Sequence, residues 1–327
     1  LEQFGTEGWV QIDGISAHPN VDPRTGELLF FNYSKHAPYM HYGVVGADNK
    51  LKHYASLPVP GPRLPHDMAF TENYSIMNDM PMFWNPDLLE KGIHAVEYYP
   101  QMKSRFAVIP RYGKPDDIMW FEADPTYVLH WTNAYEDGDE IILDGYFQEC
   151  PKPPNHPIAP AGLARMMGFI ANDLLLPRLH RWRFNLKTSE TTEERLDNRT
   201  REFGVINALY QGVKYRYVYS VTNTPGYFQF DGLSKDDLQT GEQQHFDFGE
   251  QRYGSEPAFA PKINPQSEDD GYVVSIITDT KLDRSEFVMF DAKDISAGPI
   301  CQVILPHRIS SGVHATWARG EELRVNS

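Results

Sequence analysis

The chain has 327 residues, with 45 acidic against 30 basic side chains and a formal net charge of −15. This acidic balance provides no basic surface for a phosphate backbone, so we expect no nucleic-acid partner. Cys150 and Cys301 stand far apart, which excludes a disulfide scaffold and a thiolate metal site. No apolar run approaches the roughly 18 to 20 residues that span a bilayer, and Leu1 opens no secretory leader, so we expect a cytoplasmic protein for which membrane contact is possible but not expected.

Short runs of β-branched and aromatic residues, separated by turn signals such as those at 22–26 and 136–138, dominate the chain. Counting weaker runs gives about 17 strands, which favours a barrel, sandwich or propeller. At four strands per blade, this would make four to five propeller blades. The clearest predicted strands are 27–33, 39–45, 69–77, 141–147, 181–186, 215–221, 272–277, 287–290 and 301–305.

One segment, 158–182, has helical character, because Met166, Met167, Ile170 and Leu174 fall on one face of a helix. Proline-rich residues precede it, so we expect an excursion from the sheet framework. It is either a cap over the core, a lip at the mouth of a binding site, or a shallow membrane contact. The chain as a whole, 1–327, is expected to form a single domain.

Four of the 12 histidines lie among apolar or small residues, namely His18, His66, His130 and His314. We place His18 before a turn and a strand, His66 at the opening of a strand and His130 inside one. A histidine in such a setting is either hydrogen-bonded in the core or held as a metal ligand. Histidines on well-separated strands can meet in a closed barrel or propeller, where strand ends converge on the axis.

A competing constellation is His245 and Asp247 with His307 or His314, which fits a two-histidine, one-carboxylate iron site. Composition alone predicts about one His-x-Asp, so this signal is weak. The sequence contains neither His-Glu-x-x-His, nor Gly-x-Ser-x-Gly, nor a phosphate-binding glycine loop. Zinc-peptidase, nucleophile-elbow and nicotinamide chemistry therefore have no support.

Glu202 and Glu256 occupy strand-like positions among apolar neighbours. A buried carboxylate needs a donor or an opposite charge to stay ionised. A metal-binding histidine offers such a donor through its second ring N–H, and the carboxylate then fixes the histidine tautomer. A structural salt bridge is the alternative interpretation of both residues.

The motifs around these residues are distinctive when they are taken together. They are the stretches 17–28, 65–71, 130–136, 201–206, 254–261 and 305–314, supplemented by 39–45, 60–63 and 181–187. Across them the sequence resembles the carotenoid cleavage dioxygenase family, and most of all its bacterial lignostilbene (stilbene-cleaving) branch.

The resemblance implies an all-β fold, a seven-bladed β-propeller with Fe(II) on its axis. It implies that His18, His66, His130 and His314 bind the iron and that Glu202 and Glu256 accept hydrogen bonds from iron ligands. A third such glutamate, the first blade region, and the tyrosine and lysine that engage a phenol in the stilbene branch would lie upstream of Leu1. We therefore expect the propeller to be N-terminally incomplete in this chain.

The function implied by the resemblance is O2-dependent cleavage of a C=C double bond in a stilbenoid, giving two aldehydes. The substrate would be a small, apolar, conjugated molecule, and the 18 Phe, 18 Tyr and 6 Trp could line its tunnel. The segment 158–182 would then lie near the substrate entrance, and a dimer is compatible with this picture. The alternatives are an apocarotenoid substrate, an inactive propeller that binds an apolar ligand, and a metal-dependent isomerase or hydrolase.

Overall fold

The computed structural model describes residues 14–92, 96–149, 151, 176–223, 229–310 and 313–320. Within these ranges the regular structure is almost entirely β, with 23 strands, and this confirms the all-β prediction. None of the helices found there is long and apolar enough to cross a membrane. The helical elements of the described ranges are α1 (Pro86–Leu89) and the 3-10 turns Pro115–Asp117, Ala208–Tyr210 and Ile295–Ala297.

The chain divides into two compact units. The N-terminal unit comprises Leu1–Asn198 and Gln211–Lys214, and the C-terminal unit comprises Arg199–Tyr210 and Tyr215–Ser327. The single-domain assignment stays a prediction.

In the N-terminal unit the strands form three antiparallel four-stranded sheets in which sequence neighbours pair. A two-stranded hairpin is inserted between the second and third strands of the second sheet. The first sheet contains β1 (Asn20–Val21), β2 (Leu28–Tyr33), β3 (Met40–Val45) and β4 (Leu51–Ser56); the second contains β5 (Ala69–Phe70), β6 (Tyr74–Asp79), β9 (Ser104–Pro110) and β10 (Met119–Ala123); the hairpin is β7 (Met82–Trp84) and β8 (Val96–Tyr98); the third contains β11 (Trp131–Asp137), β12 (Glu140–Phe147), β13 (Arg178–Asn185) and β14 (Thr191–Arg195).

In the C-terminal unit one sheet is a four-stranded meander and the other has five strands. In the second sheet the short strands Arg252–Gly254 (β19) and Ala258–Pro261 (β20) both pair with Gly271–Asp279 (β21), so together they act as one interrupted first strand. The first sheet contains β15 (Arg201–Val205), β16 (Tyr217–Asn223), β17 (Phe230–Asp237) and β18 (Gln243–Asp247); the second contains β19 (Arg252–Gly254), β20 (Ala258–Pro261), β21 (Gly271–Asp279), β22 (Arg284–Asp291) and β23 (Pro299–Ile304).

The predicted number of strands, about 17, is too low, since the described residues contain 23. Two predicted segments also need correction. The predicted strand 69–77 is two strands, because the amide of Thr71 donates to the carbonyl of Tyr74 and closes a turn between them. Most of the predicted helical segment, 158–175, lies outside the described residues. Its end, 178–182, is strand rather than helix, since these residues pair with β12 from Gly145 on.

A buried ion cluster joins the first two sheets of the N-terminal unit. Arg111 donates to Asp22 at 2.7 Å, to Glu27 at 3.0 Å and to the carbonyl of Thr71 at 2.7 Å. Burial alone would raise the pKa of Asp22, but hydrogen bonds from Arg24 and Arg111 outweigh it and hold that pKa below its ordinary value. Because Asp22 follows β1 and Thr71 follows β5, the cluster fixes these two strands at one end.

Candidate metal centre

Three of the predicted ligands share one position in the fold, immediately ahead of the first strand of a sheet. His18 precedes β1, His66 precedes β5 and His130 precedes β11. The sequence interpretation is confirmed for His18, but His66 lies in a loop and His130 lies outside its strand. The pairing of β11 with β12 begins only at Trp131, opposite Gly145. The three side chains therefore extend from loops that rigid strands anchor.

The three imidazoles converge. The Nε2 atoms of His18 and His66 are 3.1 Å apart, and one ligand nitrogen from each of the three rings lies within 4.8 Å of the others. Ring centroids are separated by 4.6 Å for His18 and His66, and by 5.1 Å from each of these to His130. The ring planes are inclined to one another by 50°, 63° and 76°, so the rings approach a common point from different directions.

This donor set fits a divalent transition metal. Two imidazole nitrogens that bind one ion at about 2.1 Å and at a right angle lie about 3.0 Å apart. The separation between His18 and His66 Nε2, 3.1 Å, is close to this value. Imidazole is a suitable ligand for iron, copper, nickel and zinc, and three neutral rings leave the charge of the ion undiminished.

Hydrogen bonds between loops hold the ligand-bearing segments together. The buried hydroxyl of Tyr127 donates to the carbonyl of Leu64 at 2.8 Å, which links the segments that lead to His130 and His66. Burial raises the pKa of Tyr127, so this hydroxyl stays protonated and keeps donating. Asn20 Nδ2 donates to the carbonyl of Met68 at 3.2 Å and so links the His18 and His66 segments.

A close approach of backbone and ring fixes the start of β11. A Cβ atom at Gly145 would lie 2.5 Å from the ring of Trp131 and 3.3 Å from the carbonyl oxygen of His130. Only glycine leaves this space, because real Cβ atoms do not come so near a ring carbon. Trp131 also packs edge-on against Trp182, with ring centroids 5.4 Å apart. The residue after His130 is therefore immobilised by core packing.

In the C-terminal unit, Glu256 lies in the gap between β19 and β20. Pro257 has no amide hydrogen, so it cannot extend the pairing with β21 across this gap. Glu256 Oε2 is 3.1 Å from His314 Nδ1 and accepts the amide of Ala315 at 2.6 Å. An ionised carboxylate only accepts hydrogen bonds, so Nδ1 of His314 carries the proton and Nε2 is the nitrogen left for a ligand role.

Glu202 is the last paired residue of β15 before a bulge, because the pairing with β16 resumes only at Val205. Its side chain is buried, and Oε2 accepts the amide of Phe203 at 2.9 Å. Phe203 lies in this bulge and has a positive φ of 54°, which is rare for a bulky residue. The Phe203 ring meets the His314 ring edge-on, with centroids 5.4 Å apart. The bulge thus places a buried carboxylate beside the residue that packs on His314.

The alternative two-histidine, one-carboxylate site is not assembled in the same way as the three-histidine cluster. His245 and Asp247 point outward and are exposed on β18, the outer strand of its sheet. His307 is also exposed, in a turn after β23. Among the described residues, these side chains belong to no group with metal-ligand spacing.

The contacts of Tyr127 and Asn20 were not anticipated from the sequence, since both are side-chain hydrogen bonds to the backbone of distant loops.

Comparison with known proteins shows which protein family the sequence matches. The family described as retinal pigment epithelial membrane protein matches residues 1–319. The carotenoid 9,10(9',10')-cleavage dioxygenase 1 of Pisum sativum is 34% identical over 95% of this chain and 59% of its own length. The isoeugenol monooxygenase of Pseudomonas nitroreducens is 29% identical over 96% of this chain and 68% of its own.

A solved structure is similar over nearly the whole chain. It is the lignostilbene dioxygenase of Pseudomonas brassicacearum, with a TM-score of 0.85 and 25% sequence identity. The match covers 97% of this chain and 68% of that one. The chain thus spans about three fifths of the length of the pea relative, which leaves a substantial part of that relative without a counterpart here.

Proposed function

The chain belongs to the carotenoid cleavage dioxygenase family, and on that premise we propose that it forms the metal-binding part of an enzyme that cleaves a C=C double bond with O2. The reaction is balanced without a further oxidant: an alkene and one O2 give two aldehydes. The observation that carries this proposal is the convergence of His18, His66 and His130, whose nitrogens are spaced for a single ion.

We propose Fe(II) as the ion, with His314 as the fourth ligand. The tautomer imposed on His314 by Glu256 supports this, because it leaves Nε2 available. Iron bound there would supply the activation of O2 towards the alkene. The chain's own residues would play a complementary part: the four imidazoles would hold the ion without neutralising it, and the carboxylates of Glu202 and Glu256 would supply balancing negative charge. We further propose that the sheets are blades of a seven-bladed propeller.

We propose a stilbenoid as the substrate. The structural similarity to a lignostilbene dioxygenase supports this choice, as does the sequence similarity to an isoeugenol monooxygenase, since both names refer to compounds in which an aromatic ring is conjugated with a C=C bond. An apocarotenoid or carotenoid is the second candidate, because the pea carotenoid dioxygenase is more similar in sequence, at 34% identity. Both substrate classes are apolar conjugated alkenes, so the same metal site serves either reaction.

The deciding experiment is an assay of the full-length protein on hydroxystilbenes and apocarotenoids in parallel, under ¹⁸O2. We expect O2-dependent formation of aldehydes that carry the label, faster with hydroxystilbenes. A short reaction time limits exchange of aldehyde oxygen with water. Products without label would exclude dioxygen cleavage, and preferential turnover of apocarotenoids would replace the stilbenoid by the second candidate.

Replacing Glu256 with glutamine tests the proposed role of His314. Both donors, His314 Nδ1 and the Ala315 amide, meet the same oxygen, Oε2, so the amide oxygen of glutamine can keep both contacts and the substitution removes the negative charge that makes His314 a stronger ligand. We expect iron affinity to fall about tenfold to a hundredfold, as for other partners of metal-binding histidines. The measurement is a competition titration with a chelator.

Glu250→Gln is the matched control, because Glu250 is exposed in a turn of the same unit. It should leave the affinity unchanged. Unaltered iron affinity in Glu256→Gln would remove the argument for His314 as a ligand held by this carboxylate.

A further inference from the structure

Asp67, the residue after His66, occupies a special position beside the three-histidine cluster. Its side chain is buried, with 8% exposure. Oδ1 accepts the amide of Met68 at 2.7 Å, and Oδ2 accepts the amide of Trp131 at 2.9 Å. The second bond spans 64 positions of sequence. One carboxylate thus joins the residue that follows His66 to the residue that follows His130.

The backbone of Asp67 is fixed as well. Asn78, which is buried on β6, donates from its side-chain amide to the carbonyl of Asp67 at 2.8 Å. The loop that carries His66 is therefore attached to two different sheets, to β6 through its main chain and to β11 through its side chain. A shift of the main chain at Asp67 relative to β6 or β11 would strain or break one of these bonds.

We propose that Asp67 is a positioning residue that sets the spacing of His66 and His130 for a shared metal ion. The inference rests on the proposed function, because it requires both histidines to bind the same ion. A carboxylate suits this role, since each of its oxygens accepts a hydrogen bond and neither donates. Asparagine has a single acceptor oxygen, and its NH2 group would face one of the two amide donors.

The expected consequence is weaker metal binding rather than loss of the fold. Ligands held about 1 Å too loosely bind their metal poorly even when all of them are present. Loss of supporting partners around metal sites typically costs tenfold to a hundredfold in affinity, and we expect about tenfold here, since Asp67 acts through backbone rather than on a ligand ring.

The test is a titration of the metal-free full-length protein with Co(II), whose visible absorption reports ligand geometry. Asp67→Asn should bind Co(II) about tenfold more weakly and show an altered absorption band. Asp67→Ser, which loses the bond to Trp131, serves as a second variant if Asp67→Asn fails to fold, and should behave alike. Circular dichroism of each metal-free variant checks the fold.

Glu136→Gln is the matched control. Glu136 also bonds across the same two segments, since its carboxylate accepts the Asn73 amide at 2.9 Å over 63 positions, but it does so near the far end of β11 from His130. Its Co(II) affinity should stay within about twofold of wild type, because it lies away from the ligands. Wild-type affinity and absorption in the folded Asp67 variant would overturn the inference, as would an equal loss in Glu136→Gln. Wild-type protein that binds no Co(II) would overturn the proposed function and the inference with it.

Discussion

Replacing His130 with alanine is expected to abolish alkene cleavage and to reduce bound iron well below the level of about one ion per chain that a complete ligand set would hold. His130 is the most buried of the three clustered histidines, and its ring centroid is 5.1 Å from each of the other two. Its removal leaves a gap that no other side chain of the cluster can fill. The measurement combines metal analysis of the purified protein with product formation from the preferred substrate.

His180→Ala is the matched control for this experiment. His180 has the same exposure as His130, 8%, and lies in the same unit, but its Nε2 is bonded to Glu193 at 3.2 Å. This variant should keep its iron while losing some stability. If His130→Ala retained wild-type iron content and activity, or if His180→Ala lost both equally, the three-histidine cluster would not be the metal site.

Replacing Trp182 with alanine is expected to lower the free energy of unfolding by about 3 to 5 kcal/mol, the usual cost of deleting a buried aromatic side chain. Trp182 is fully buried on β13. Its ring packs against Trp131 at 5.4 Å and Phe106 at 5.9 Å. Urea denaturation followed by circular dichroism measures the change.

Trp120→Ala provides the comparison, because Trp120 is only half-buried on β10, an outer strand, where Arg105 lies 4.5 Å from its ring. Its loss should cost about 1 kcal/mol, close to the centre of the range for point substitutions. An equal cost at the two positions would contradict the assignment of the core around Trp182.

Since Trp131 packs on Trp182 and directly follows His130, we also expect weaker metal binding in Trp182→Ala.

The residues of the site that could be predicted from the sequence are those whose side chains can bind a metal or orient a metal ligand. His18, His66 and His130 stand in distinctive motifs, and the structure brings them together because each precedes the first strand of a sheet. Glu256 was identified in the same way, and it is paired with His314. In each case the functional residue differs in polarity from its neighbours.

The supporting residues were not predictable from the sequence. Asp67 stands inside one of the recognisable motifs, yet its role depends on an amide 64 positions away, and a backbone amide has no sequence signature. The same holds for Tyr127 and its bond to the carbonyl of Leu64. Tertiary hydrogen bonds to the main chain become visible only once the loops are placed.

The boundaries of strands were also not fully predictable from the sequence. The stretch 69–77 is uniformly suited to a strand, but a turn held by Thr71 and Tyr74 divides it. The carboxylate of Glu136 accepts the hydroxyl of Thr71 at 2.6 Å and thereby stabilises that turn from another sheet. Local propensity cannot anticipate a turn that a distant side chain stabilises.

The most direct test of the proposed metal centre is the iron content of the wild-type, full-length protein after anaerobic loading with Fe(II) and removal of excess metal. We expect about one iron per chain, because the histidine cluster is spaced for one ion. A folded protein that cleaves the alkene while retaining no iron, or one that retains no iron and no activity, would contradict the proposed iron site.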